Sequence, residues 1–296
     1  MRYVVHHNTL FVRGVFRAVS TGINGGVADV DTIVNHTVPK DFDHADPAAC
    51  LDRLIAREGY GPAYFGLLTA VEMRDLCIMQ IDGLTAFVTG GVTNPDPADD
   101  GPHTINIIVV SRETLSPGAM LEAIITATEA KADALRMLGY DFSGTTTDAV
   151  VIAHEGAPPV HRYAGSLTDA GSRIRTAVLA GVRESIRRNN GDVVREEPSF
   201  FVFSRYGGRR FVEWKEKGEA CPYYPCHFPG QRCDFCYCPL YPCGDESLGE
   251  WMESSSGGQV WNCSRCNLVH VPRVAGYLRR YPEASLLELK RVRDRS

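Results

Sequence analysis

The sequence has no apolar run near the ~18–20 residues that a membrane-spanning helix requires, so a helical membrane protein is not expected. Its first residues, MRYVVHHNTLFVRG, break each apolar run with a charge, which gives no secretory leader and points to the cytoplasm. Standard catalytic signatures are missing too. There is no G-x-S-x-G, no H-E-x-x-H, no Walker A segment, and no G-x-G-x-x-G behind a strand. Basic charge is scarce over most of the chain: residues 1–198 carry a net charge of −8, residues 199–296 one of +3, and the whole −5. Phosphate backbones are bound by clustered Lys and Arg, so nucleic acid is not expected as the partner of the large acidic part. Cysteine is also nearly absent from that part. Only Cys50 and Cys77 precede residue 220, whereas the other eight of the ten lie between Cys221 and Cys266. A secreted disulfide scaffold would spread its cysteines, so this clustering reads as metal-type ligands in a reducing compartment.

The asymmetry predicts two domains, residues 1–198 and 199–296, with the boundary in the polar stretch Asn189–Pro198. In the first, Asp46-Pro47 predicts a helix start, because Asp caps well and Pro fits the first helical position. Ala63–Val71 reads as a buried strand. The apolar runs Leu76–Ile81 and Leu84–Thr89 flank Asp82-Gly83, a strong hairpin signal. Thr104–Val110 and Ala149–Ala153 read as further strands. Ser116-Pro117 opens a long helix with Leu121, Ile124, Ile125, Ala132, Leu135 and Leu138 expected on its buried stripe. A last helix from Thr168 or Asp169 carries Ile174, Val178, Val182 and Ile186, and Phe200–Phe203 reads as a strand beyond it. Hairpins and helical crossovers together predict an α+β or α/β fold, a mixed sheet covered by helices, followed by a small metal-stabilised cysteine-rich domain.

Four loops are rich in Gly, Asn, Thr and Asp: Ser20–Gly26, Asp41–Asp46, Gly90–His103 and Gly144–Asp148. Each reads alone as a turn, but four beside predicted elements suggest a binding face. Glycine amides at Gly90 and Gly91 could hold a carbonyl and its oxyanion. Asn24, Asn94 and Asn106 offer amide side chains to a substrate, although Asn106 sits within a strand and faces either side. His44 is a candidate general base or metal ligand, or simply a polar loop residue beside the helix cap. Glu129 is a second candidate base, with a solvated helix face as its alternative. Thr145, Thr146 and Thr147 offer hydroxyls beside Asp148, a candidate orienting carboxylate. A threonine nucleophile also needs a base, and the sequence places none within reach.

At the other end, Cys221, Cys226, Cys233, Cys236, Cys238, Cys243, Cys263 and Cys266 include two C-x-x-C pairs. Eight thiolates can build two tetrahedral zinc sites, with His227 and His270 as substitutes. Structural zinc is the expected cofactor, because a stretch of few aliphatics has little core and metal binding supplies folding energy. An iron–sulfur cluster is the alternative, and disulfides come last.

Several unusual segments occur in a fixed order: STGINGG, TVPKDFDHADP, GGVTNPD, TINIIVV, LSPGAMLEAIITATEAKADALRMLG, GTTTDAVVIA and YAGSLTDAGSRIRTAVLAGV. Together they resemble the adenosylcobinamide amidohydrolase family over residues 15–190. The segment CPYYPCHFPGQRCDFCYCPLYPC, with VWNCSRC, resembles a small cysteine-rich zinc-type domain that occurs alone or fused to this amidohydrolase. The first resemblance implies hydrolysis of the amide joining the aminopropanol arm to the corrin ring. It implies release of adenosylcobyric acid and 1-amino-2-propanol in corrinoid salvage for cobalamin synthesis, a mainly archaeal route. The implied partner is a corrinoid substrate, with no separate organic cofactor, no nucleic acid and no membrane. A large ligand fringed with amides suits a face of Asn, Thr and Gly loops. The rival reading is a corrinoid-binding carrier without hydrolysis, with the cysteine-rich part as a docking module; a zinc-ribbon reader of nucleic acid fits the modest +3 poorly.

Overall fold

Apolar residues in the first 37 positions build three strands that precede every element expected from the sequence: β1 (Arg2–His6), β2 (Thr9–Ser20) and β3 (Gly26–Thr37). The computed structural model describes residues 1–42, 45–92, 104–193, 200–205, 211–213, 223–236, 238, 240–253, 259–281 and 284–295. Asp46 caps α1 (Pro47–Arg57) through a 2.9 Å bond from the Ala49 amide, as its residue type dictates. The chain continues through β4 (Tyr64–Thr69), β5 (Cys77–Ile81), β6 (Leu84–Gly91), β7 (Thr104–Leu115), α2 (Pro117–Met137), β8 (Ala149–His161) and α3 (Asp169–Asn189). The Asp82-Gly83 hairpin forms as expected, with both residues at positive φ.

One mixed sheet runs β9–β5–β6–β7–β8–β2–β3–β4, where β9 spans Phe201–Arg205; β1 pairs with β2, and the short β10 (Val212–Glu213) extends the β9 side. The sheet thus passes residue 198, because β9 pairs in parallel with β5. It also curls on itself: the β7 side chain Asn106 donates to the Leu68 carbonyl on β4 at 2.8 Å, although three strands separate their places in the sheet order. Leu10, Phe16, Ile33, Leu67, Phe87 and Ile108 fill the inside of the curl. Outside, α1 buries Leu51, Leu54 and Ile55 on Phe11 and Val34. Helices α2 and α3 cover β5 to β8, and Ile174, Val178, Val182 and Ile186 of α3 are at most 1% exposed. Each such side chain contributes about 1.5–3 kcal/mol.

Helix α2 departs from the expected stripe. Leu121 and Ile125 are 55% and 59% exposed, and the buried face is Ala119, Ala123, Ala127, Ala130 and Ala134 with Leu135. Small residues let this helix approach α3 and the sheet closely, so close approach rather than side-chain bulk selects the inward face.

The cysteine-rich end contains the hairpin β11 (Glu250–Glu253) and β12 (Gln259–Asn262), then α4 (Pro272–Arg280) and α5 (Leu286–Asp294). The cysteine segment by itself has few aliphatics, but the two helices bring a core to it: Phe235 packs with Leu268, Val274, Ala275, Leu278 and Leu289. No described helix is long and apolar enough to cross a membrane.

Candidate active site

The curl brings the ends of β3, β4 and β6 to the beginnings of β7 and β8. A buried polar ladder ties them together. Asn35 Nδ2 on β3 donates to Thr89 Oγ1 on β6 at 2.9 Å, and Asn106 Nδ2 on β7 donates to Asn35 Oδ1 at 2.9 Å. Thr104 Oγ1 lies 3.3 Å from both Asn106 Oδ1 and the Thr147 carbonyl, which links the ladder to the threonine loop. Asn35, Thr89 and Asn106 are at most 2% exposed, so each bond replaces water that these groups have lost. Three of the four polar loops flank this ladder in described residues. Thr21 exchanges hydrogen bonds with Val150 at the start of β8, and Ile23 bridges to Gly66 on β4. The Asp41–Asp46 loop leaves β3 just beyond Asn35, where Val38 donates to the Thr69 carbonyl.

The threonine loop is organised around one carboxylate. Asp148 Oδ1 accepts from the Thr145 hydroxyl at 2.6 Å and from the Ile105 amide at 2.9 Å. Its Oδ2 accepts from the Thr145 amide at 3.0 Å and pairs with the Lys131 ammonium from α2. Both charged side chains are about nine-tenths buried, at 10% and 8% exposure. A Cβ on Gly144 would fall on Lys131 Nζ and Asp148 Oδ2, so a larger residue there would have to displace the pair. The resulting constellation is a hydroxyl, a carboxylate within hydrogen-bond reach of it, and a cation holding that carboxylate in place. Activated nucleophiles are built in this way.

The other expected residues fall as follows. Thr146 and Thr147 are exposed on the same loop. Asn24, at φ 53, lies beside the Tyr64 hydroxyl, which donates to Asp52 at 2.6 Å. Burial raises the Tyr64 phenol's pKa and Asp52 raises it further, so the phenol stays protonated. Gly90 and Gly91 are not loop residues. They end β6, paired with Ile105 and Thr104, and the Gly90 amide donates to Ser185 Oγ at 2.9 Å, which gives it a protein partner in place of an oxyanion. Asn106 points inward and spends its amide on Asn35 and Leu68, so it builds the wall of the site instead of presenting a group to substrate. Glu129 is exposed on α2, two residues and therefore about 200° around the helix from Lys131, which turns it away from the threonine loop. His44 and Asn94 lie outside the described residues. Sequence reasoning missed Lys131, Asn35 and Thr89. A lysine in the alanine-rich stretch Ala127–Ala134 was the available signal for the first.

A second polar cluster lies at the opposite end of β7 and β8, beside a surface cavity of about 430 Å³ lined by Asp82, Glu113, Asp169 and Arg173 among others. Arg173 bonds Glu113, Asp169 and the Asp82 carbonyl at 2.6–2.7 Å. Burial pushes the Glu113 carboxyl up, but bonds from His161 and Arg173 outweigh it and hold its pKa low. The guanidinium is consumed by its own neighbours, and none of the catalytic or binding candidates from the sequence lines this cavity.

Among the cysteines, Cys238, Cys243, Cys263 and Cys266 form one electrostatic group. Burial pushes the Cys238 thiol up to about 12, and the three others add to that shift. Cys263 and Cys266 are raised in the same way. Gln231 Nε2 joins a different pair, Cys226 at 3.2 Å and Cys233 at 3.4 Å. Cys236 is exposed, and Cys221 lies outside the described residues. The donor type fits a thiophilic metal, yet no three described cysteine sulfurs lie within 4.8 Å of one another. A tetrahedral thiolate site, with bonds of about 2.3 Å, needs its sulfurs roughly 3.8 Å apart.

Residues 5–193 match the profile of the adenosylcobinamide amidohydrolase family, and residues 211–293 that of a cysteine-rich small domain. An adenosylcobinamide amidohydrolase of Methanosarcina mazei is 43% identical over 195 residues, covering 63% of this chain and 98% of the relative. One from Halobacterium salinarum is 31% identical over 186 residues, covering 57% and 80%. A stretch of 69 residues is 44% identical to part of a probable cobalt-factor III C(17)-methyltransferase of Methanothermobacter thermautotrophicus, 21% of this chain and 19% of that one.

Proposed function

We propose that this chain, which belongs to the adenosylcobinamide amidohydrolase family, cleaves the amide between the aminopropanol arm and the corrin ring and so returns a salvaged corrinoid to cobalamin synthesis. It is a hydrolase acting on a corrinoid amide, as its relatives are. In the proposed reaction water adds across the C–N bond. The carbonyl carbon keeps the hydroxyl, giving adenosylcobyric acid, and the nitrogen leaves with a proton as 1-amino-2-propanol.

The observation that carries the assignment of the site is the 2.6 Å bond from the Thr145 hydroxyl to Asp148, with Lys131 on the other carboxylate oxygen. Thr145 Oγ1 attacks the carbonyl as Asp148 Oδ1 takes its proton and passes it to the leaving nitrogen; the C–N bond breaks to leave an ester, and water hydrolyses that ester to the acid and the free Thr145 hydroxyl. Lys131 holds the carboxylate in place. The corrin's own amides lie along the Asn- and Gly-rich loops, of which Asn24 is the described member. His44 is proposed as a further proton carrier and Asn94 as an amide contact.

Zinc is the proposed metal of the cysteine-rich part, in two structural sites. Cys238, Cys243, Cys263 and Cys266 make one, supported by their thiol donors and the C-x-x-C spacing of Cys263 and Cys266. Cys221, Cys226, Cys233 and Cys236 make the other, supported by the Gln231 bridge. Bound there, the metal supplies folding energy and no chemistry.

Mass spectrometry of the full chain incubated with adenosylcobinamide tests the reaction. Equal amounts of adenosylcobyric acid and 1-amino-2-propanol are expected. Tight corrinoid binding with no amine released would replace this reading with the carrier.

A further inference from the structure

The hairpin turn between β1 and β2 stands apart from the chemistry above, on the outer face of the sheet against the end of α1. It gathers His6, His7 and Glu58, whose ligand atoms all lie within 4.8 Å of one another. His6 ends β1, paired with Thr9, so its direction is set by the ladder. Behind it, Thr9 Oγ1 is bonded to His36 Nδ1 at 2.7 Å and fills the next place across the sheet. His7 and Asn8 sit at φ 47 and 51, the left-handed pair that a two-residue turn demands. That turn swings the His7 ring back until its centroid is 4.1 Å from that of His6. Glu58 caps the end of α1, fixed by its amide bond to the Leu54 carbonyl, and its Oε2 is 3.0 Å from His6 Nε2.

We propose that His6, His7 and Glu58 form a binding site for a divalent transition-metal ion of the zinc class. Two imidazoles and one carboxylate suit Zn²⁺, Ni²⁺, Co²⁺ or Cu²⁺, whereas Mg²⁺ and Ca²⁺ prefer oxygen alone. In a tetrahedral zinc site with bonds of about 2.0–2.2 Å, neighbouring ligand atoms sit roughly 3.3–3.5 Å apart. The separation already present between His6 and Glu58 is close to that. Three protein ligands leave one position for water or an outside donor, so the site is open where the thiolate sites are closed. Arg57 is the opposing charge, 3.3 Å from Glu58 Oε1. It is 62% exposed, and solvent screens it from an ion on Oε2.

The test reads the histidine rings by ¹⁵N NMR in the full chain during a Zn²⁺ titration, so ions taken by the thiols do not enter the readout. Once the thiol sites are filled, one further equivalent is expected to move the His6 and His7 resonances together. Glu58→Gln and His7→Asn are each expected to weaken that equivalent at least tenfold. Asn tolerates the left-handed turn, so His7→Asn removes a strong ligand without disturbing the fold. If the His6 and His7 rings stay unmoved as Zn²⁺ is added, or if both variants bind that equivalent as the parent does, the site is refuted. Neither result bears on the corrinoid reaction.

Discussion

Lys131→Met is expected to lower stability by about 3–5 kcal/mol and to abolish most hydrolysis of adenosylcobinamide. Lys131 and Asp148 are both about nine-tenths buried. Removing the cation leaves a carboxylate with two backbone amides and a threonine hydroxyl but no counter-charge, and an uncompensated buried charge costs that much. The neutral pair costs less: Lys131→Met with Asp148→Asn is expected to recover a large part of the lost stability, because no buried charge remains. It is expected to recover no activity, since the carboxylate that accepts the Thr145 proton has gone. Denaturant unfolding of the two single variants and the double variant measures the coupling directly. Additive stability losses would mean that the pair does not act as a unit.

Thr145→Ala is expected to lower kcat by about 10²–10⁴-fold, the range lost when a positioned nucleophile and its base are disabled. Thr145 contributes one side-chain bond to Asp148, and its amide bond to the same carboxylate survives the change, so the loop keeps its form. Thr146→Ala is the control on the same loop: Thr146 is exposed and is expected to retain activity within a few-fold. Steady-state kinetics separate chemistry from binding here, because a loss confined to kcat removes a group used in the transition state. Equal losses in the two variants would remove Thr145 from the proposed role.

The local signals in this sequence were legible. Asp46-Pro47 caps a helix and Asp82-Gly83 turns a hairpin because each needs only the few residues around it. Gly90-Gly91 misled for the converse reason: glycine favours loops by itself, but pairing with Ile105 and Thr104 holds both in a strand. The exposed Leu121 and Ile125 show the same limit, since the packing distance to α3 decides which face of α2 turns inward. For the site, the threonine loop and Asp148 stood out by composition. Their partner Lys131 is 17 residues upstream on a helix, and the Asn35–Asn106 bond spans 71 residues of chain. Such contacts exist only once the sheet has curled. The order of the family segments did reach the reaction class, because it reports the assembled site without requiring its geometry.

The proposed place of the corrinoid is where β3, β4 and β6 end and β7 and β8 begin. Amide hydrogen exchange of the full-length Thr145→Ala variant, with and without saturating adenosylcobinamide, tests this directly, because that variant is expected to hold the substrate unreacted. Protection is expected at residues 20–26, 89–91, 104–106 and 144–149. Protection confined to the Asp82, Glu113 and Arg173 cavity, or to the cysteine-rich end, would contradict the account.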